Sequence, residues 1–203
     1  MFDKKNLKII KRAISNKSVW VVGSSFLEDE KIAIYTQKLL IKRNVRKLLV
    51  LVPRFPERAY EILNLLKDFE VKVYSKGETP DVKTDIFLVD SIGELGLWYK
   101  ASEVALIGGT FSNVEGKNPW EALHLDCVIT FGPRHLKFKD DFKLLKKRKL
   151  AHQINSSQEL FNILSRKDQI PVSNGVKELK TKLKKDLNSC LLYTSPSPRD
   201  GSI

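Results

Sequence analysis

The sequence predicts an α/β fold built on a parallel, doubly wound sheet, and three observations carry that prediction. Short apolar, β-branched runs recur at Val19 to Gly23, Leu48 to Val52, Val71 to Tyr74, Ile86 to Val89, Val104 to Ile107 and Val128 to Phe131. Segments with apolar residues at helical spacing lie between most of them. Several of the runs close on glycine, serine or proline, as buried strands do when they turn into a loop. Strands that alternate with helices need crossover connections, which set the strands parallel and the helices on the faces.

Each element has a local cause. Val19 to Gly23 runs into Gly23-Ser24-Ser25, after which Glu28, Asp29 and Glu30 stand where the helix dipole favours carboxylates. Ile32, Ala33, Leu39 and Leu40 supply that helix with an apolar face before Lys42 and Arg43. Pro53 ends the second strand, and Pro56 is expected to open a helix carrying Tyr60, Ile62, Leu63, Leu65 and Leu66. Ser75 to Asp85 is polar and broken by Gly77 and Pro80, hence a loop. Ser91 with Glu94 three residues on has capping-box spacing. Pro119 is expected to start a helix through Leu125. Phe138 to Lys149 and Gln158 to Ser165 read as helices around a short strand at Leu150 to Ile154, and Val176 to Leu187 as a basic amphipathic helix. Beyond Asn188 no apolar period remains, and Ser189 to Asp200 resembles adaptor read-through. The expected domain is therefore 1–188, with 189–203 a non-native or disordered tail.

Composition narrows the function. With 203 residues, 42% hydrophobic and 30% charged, the chain suffices for one good core. No apolar run approaches the ~18 residues needed to span a bilayer, and Met1 to Lys17 lacks a signal peptide's apolar centre, so neither a membrane span nor export is expected. Cys127 and Cys190 stand far apart, as a reducing cytoplasm allows, and His124, His135 and His152 have no partners at metal-ligand spacing; no metal is expected. A net charge of +12 suits an anionic partner: nucleic acid, an anionic membrane surface or a phosphorylated substrate. A lysine-rich, solvated surface accounts for the same number. The aromatics are not interleaved with the basic residues as on single-strand-binding surfaces.

In a doubly wound sheet, ligands bind beyond the carboxyl ends of the strands. Gly23-Ser24-Ser25, Pro53-Arg54, Gly108-Gly109-Thr110 and Gly132-Pro133 all fall on that rim. Arg54, directly after a strand, is placed to bind a phosphate or carboxylate through its planar fork, while Arg58 fits a surface pair with a glutamate equally well. Asn118-Pro119-Trp120-Glu121 sets an asparagine at an N-cap, a proline at the first helical position and a carboxylate at the third. Glu121 has two readings, a cap for its own helix or an acceptor for ribose hydroxyls beside N–H groups that face phosphate.

Five segments then stand in one order: Val52 to Arg58 (VPRFPER), Asp90 to Gly96 (DSIGELG), Ile107 to Thr110 (IGGT), Gly116 to Glu121 (GKNPWE) and Phe131 to Pro133 (FGP). Together they resemble the bacterial 3-deoxy-D-manno-octulosonic acid (Kdo) transferases, from about Phe2 to about Leu145. The resemblance implies a Rossmann-like fold, the second domain of a GT-B glycosyltransferase, which moves Kdo from CMP-Kdo to the lipid A precursor in lipopolysaccharide core biosynthesis without metal or cofactor. Phe2-Asp3 looks like the end of an Asn-Leu-Lys-Phe-Asp motif, so the acceptor domain and its glutamate base would lie outside these residues, leaving this chain alone inactive. By the same resemblance Pro53, Arg54, Ile92, Gly93, Glu94, Asn118, Pro119, Trp120 and Glu121 would hold CMP, with Glu121 on the ribose and Arg54 near phosphate or base. Ser24, Ser25, Gly109 and Thr110 would line the cleft.

The chain departs from the family pattern at Phe26, Phe55 and Lys117, where histidine is usual, at Leu27, where glutamate is usual, and at Lys137, where asparagine is usual. The implied partners are CMP-Kdo, the lipid A precursor and the anionic cytoplasmic face of the inner membrane, which the basic stretch Lys137 to Lys149 would meet. Nucleic acid is not expected. Two rivals remain at this point. Another GT-B transferase would show a different base preference. A non-catalytic RNA-binding or membrane-surface module would show steep salt dependence without nucleotide-sugar binding.

Overall fold

The structure is a computed structural model and describes residues 4–14 and 17–166; the helix expected at 176–187 and the tail from 189 lie outside them. Seven strands form one sheet: β1 (Ser18–Ser25), β2 (Lys47–Pro53), β3 (Val71–Val73), β4 (Ile86–Leu88), β5 (Val104–Ile107), β6 (Val128–Phe131) and β7 (Ala151–Gln153). Their order is β3-β4-β2-β1-β5-β6-β7, and all six neighbouring pairs are parallel. β1 lies at the centre, paired with β2 from Ser18↔Lys47 and with β5 from Trp20↔Val104. The chain builds one side of β1 first, passing from β2 to the edge strand β3 and back to β4 between them, and then crosses to β5, β6 and β7 on the other side, so the topological switch point lies between β1 and β5.

The strands are continuous apolar runs because both faces of the sheet are covered. Val19, Val21, Val50, Ala105, Ile107 and Ile129 point to one face. There they meet α1 (Lys4–Ala13), α4 (Leu95–Ala101), α5 (Trp120–His124) and α6 (Lys139–Lys147) through residues such as Ile10, Trp98, Leu123 and Phe142. Trp20, Val22, Leu49, Leu51 and Leu106 point to the other face. α2 (Leu27–Lys42), α3 (Ala59–Leu65) and α7 (Ser157–Leu164) cover it with Ala33, Leu40, Ile62, Leu160 and Leu164. The buried Trp20 indole N–H donates to Gln37 Oε1 (3.0 Å), and the Gln37 amide donates to the carbonyls of Lys47 (2.9 Å) and Asp85 (3.1 Å). The polar atoms of this layer are thereby paired rather than stranded in hydrocarbon.

Three expectations are corrected at element starts. A turn of 3₁₀ helix over Pro56–Arg58 precedes α3, which begins only at Ala59. A second such turn, over Leu136–Phe138, precedes α6. Ser91 caps nothing: Gly93 adopts φ +96°, which turns the chain away before the helix, and α4 starts at Leu95 with Glu94 at its N-cap. Among the described residues no helix is long and apolar enough to cross a membrane.

Candidate functional site

At the switch point the ends of β1 and β5 touch. The Gly108 N–H donates to the Gly23 carbonyl at 2.9 Å, and a Cβ on Gly108 would lie 2.2 Å from the Ser24 carbonyl oxygen, so only glycine permits this approach. Beyond it the loop is held by a carboxylate from α2. Asp29 is buried and accepts from the N–H groups of Phe26 (3.0 Å), Gly109 (2.7 Å) and Phe111 (3.1 Å). The loop's far side is tied to β6, because the Thr110 hydroxyl donates to the Ile107 carbonyl (2.7 Å) and accepts from the Gly132 N–H (2.8 Å).

This arrangement corrects the reading of Ser25 and Thr110 as cleft-lining. Both are fully buried, and the Ser25 hydroxyl donates inward to Glu30 at 3.0 Å. Their hydroxyls brace the rim from beneath. Gly109 is also buried, with φ +75°, while Ser24 is half-buried with φ +55°. Sequence reasoning took Glu28, Asp29 and Glu30 together as helix-end acids; only Glu28 is exposed. The spacing held one clue, since Asp29 lies three residues after Phe26, the N-cap of α2.

Burial pushes the Asp29 carboxyl up to about 6, against the opposing pull of its three backbone donors. An unfolded aspartate titrates near ~4. A folded value raised above the unfolded one means that the group's contribution to stability is fully present below ~4 and is lost as pH rises through about 6. The loss comes to roughly 3 kcal/mol. Asp29→Asn should remove this dependence, so urea denaturation from pH 4 to 7 is expected to show a wild-type-minus-variant difference that changes by that amount. A difference constant across the range would mean that the three donors hold the carboxyl at its ordinary value.

The remaining residues read from the sequence lie on the exposed rim. Pro53 is buried at the end of β2; the Arg54 N–H donates to the Ser25 carbonyl at 3.0 Å and its guanidinium stands in solvent. Arg58, whose role the sequence left open, forms a two-pronged pair with the buried Glu30, with both N···O distances 3.0 Å. Ile92 is 87% exposed, ahead of Gly93 and Glu94. The Glu94 carboxylate accepts from the Tyr74 hydroxyl, whose pKa is raised by burial and by that bond. Beside them a cleft of about 460 Å³ is bordered by Ile9, Ile10, Tyr74, Glu94 and Leu97.

The expected cap is corrected: α5 begins at Trp120 with Pro119, not Asn118, at its N-cap, which moves Glu121 to the second helical position, and the Asn118 side-chain oxygen instead closes a turn just ahead of the helix by accepting from the Trp120 N–H at 2.9 Å. Pro119 is buried, and the Trp120 indole donates to Asp141 at 2.7 Å, which anchors α5 to α6. Glu121 is exposed and belongs to none of the ion pairs among the described residues. Its Oε1 lies 3.5 Å from where a Gly96 Cβ would stand, an ordinary contact distance, so the Glu121 carboxylate lies against the start of α4. The motifs at 92–96 and 118–121 are thereby one place in space.

No family model matches the chain. It is 35% identical over 153 residues to a 3-deoxy-D-manno-octulosonic acid transferase of Rickettsia bellii, an alignment covering 74% of this chain and 36% of that protein. It is 30% identical over 146 residues to a protein of the same name from Haemophilus influenzae, covering 71% of this chain and 34% of that one. The chain thus spans about a third of the length of the curated relatives it matches. Its fold matches the C-terminal CMP-Kdo binding domain of WaaA from Acinetobacter baumannii with a TM-score of 0.74, at 23% identity, covering 79% of this chain and 86% of that one. The two share a Rossmann-like parallel sheet with helices on both faces, the C-terminal domain architecture of GT-B enzymes.

Proposed function

The chain belongs to the 3-deoxy-D-manno-octulosonic acid transferases, aligning with one of them over 74% of its length, and we propose that it is their donor-binding half. On this reading Pro53, Arg54, Ile92 to Glu94 and Asn118 to Glu121 hold CMP-Kdo, within a domain spanning 1–188. One observation carries the reading: the exposed Glu121 carboxylate, in none of the ion pairs among the described residues, stands in the first turn of α5 and faces the start of α4. A carboxylate there accepts hydrogen bonds from a ribose diol, while Arg54 across the rim neutralises phosphate charge.

The reaction transfers Kdo to the lipid A precursor at the cytoplasmic face of the inner membrane. An acceptor hydroxyl attacks the anomeric carbon, the bond to the CMP phosphate breaks, and a base on the opposite side takes the hydroxyl proton. The reading assigns that base and the acceptor site to the part of the relatives that this chain does not cover. This chain's share is to fix the anomeric carbon and to bind the departing phosphate without metal or cofactor.

Calorimetric titration with CMP, UMP and AMP tests the proposal. CMP is expected to bind at least tenfold tighter than the other two, and Arg54→Ala/Glu121→Ala to lose affinity on the order of 100-fold, from two charge-assisted contacts. No binding, or equal binding of all three nucleotides, would refute it.

A further inference from the structure

Four side chains from three separate loops meet beyond the carboxyl ends of β1, β2 and β5, and a fifth, from the turn after β6, carries a charge that reaches them. Phe26, just after β1, and Phe55, just beyond β2, pack edge to face with ring centroids 5.9 Å apart and planes at 85°. Each ring carries a cation. The Lys117 ammonium stands 5.5 Å from the Phe26 centroid, and the Arg54 guanidinium carbon 5.9 Å from that of Phe55. Lys137, in the turn after β6, is near enough for its charge to act on Lys117. Lys117 is partly withdrawn from water, which lowers its pKa, and the charges of Arg54 and Lys137 lower it further.

These cations form no close ion pair among the described residues, although the Glu115 carboxylate lies near Lys137, accepting from the Leu136 N–H. Arg54, Lys117 and Lys137 belong to none of the ion pairs among the described residues, whereas the neighbouring Arg58 is doubly paired. No carboxylate is among the groups acting on Lys117. Cation–π contact, worth about 0.5–1 kcal/mol at exposed sites, accounts for one lysine and one arginine each resting on a ring. It does not account for three like charges drawn together, which repel one another until an anion sits between them. Phe55 is 44% exposed, so an apolar surface opens beside the charges.

We propose that Arg54, Lys117 and Lys137 form an oxyanion subsite floored by Phe26 and Phe55, which takes a carboxylate or phosphate of the donor while the adjoining carbon skeleton lies against the rings. The inference rests on the donor-binding reading above and assigns it a second pole, apart from Glu121. A CMP-linked sugar acid offers both oxyanions, one on the nucleotide and one on the sugar.

The test is calorimetric titration of the 203-residue chain and of Lys117→Gln/Lys137→Gln with cytidine, CMP and CMP-Kdo, with melting curves to confirm that the variant folds. The preference for CMP-Kdo over cytidine is expected to fall about tenfold or more in the variant, since charge-assisted contacts are lost. A loss shared by CMP assigns the phosphate to the subsite; a loss confined to CMP-Kdo assigns the sugar carboxylate. Phe55→Ala, which keeps all three cations, should weaken CMP-Kdo more than CMP if the rings carry the sugar. Unchanged CMP-Kdo binding in the lysine variant overturns the subsite and leaves the donor reading standing. A wild-type chain that does not prefer CMP over UMP overturns the donor reading itself, whatever the lysine variant does.

Discussion

Arg58→Ala is expected to destabilise the fold by about 3–5 kcal/mol, because it leaves a carboxylate in the interior without its counter-charge. The Glu30 side chain is 0% exposed, and its two oxygens accept from the two terminal nitrogens of Arg58, with Ser25 donating a third bond. Arg58 also reaches Glu61, but that contact is exposed and adds little. The damage should therefore follow Glu30. Glu30→Gln/Arg58→Met removes the stranded charge along with its partner and should recover most of the loss, which a double-mutant cycle by urea denaturation would measure. If Arg58→Ala costs no more than ~1 kcal/mol, water reaches Glu30 and the pair is not a brace of the rim. The pair joins the start of α2 to the turn after β2, and so positions Arg54 four residues before Arg58.

Gly108→Ala is expected to cost more than about 4 kcal/mol, or to prevent folding. Its new methyl would lie 2.2 Å from the Ser24 carbonyl oxygen and 2.5 Å from that of Gly23, both backbone atoms that no rotamer change can move aside. Relief would require the ends of β1 and β5 to part, breaking the Gly108 N–H bond to Gly23 and loosening the loop that Asp29 holds. Gly77→Ala supplies the contrast. That glycine has φ +72° but nothing within 4 Å of the added carbon, so only left-handed strain of about 1 kcal/mol applies. Thermal melting of the two variants should separate by on the order of 10 °C. Equal melting temperatures would show that the switch point can open without penalty.

Most of the scaffold was legible before any coordinates, and the reason is burial. A strand covered on both faces must be apolar at every position, so Val19 to Gly23 and Val104 to Ile107 announce themselves as runs, and their alternation with helices sets the parallel winding. The rim residues were legible as loop positions for the same reason: they follow strands. Helix starts were less so. Gly93 with its positive φ displaced the start expected at Ser91, and backbone conformation at one glycine does not show in capping spacing.

By itself, then, the amino-acid order determined the fold class, the strand positions, the family and which loops share the carboxyl edge of the sheet. Only the tertiary structure decided what each polar side chain on that edge does. Asp29 and Gly109 are 80 residues apart, and Arg58 and Glu30 are 28 apart. Spacing of that kind carries no local signal, so neighbouring acids such as Glu28, Asp29 and Glu30 look alike until the fold buries two and leaves one in water. The gathering of Lys117 and Lys137 beside Arg54 is of the same kind. Secondary structure follows from periodicities a few residues long, whereas a site is made of side chains whose partners the sheet order brings together across loops distant in sequence.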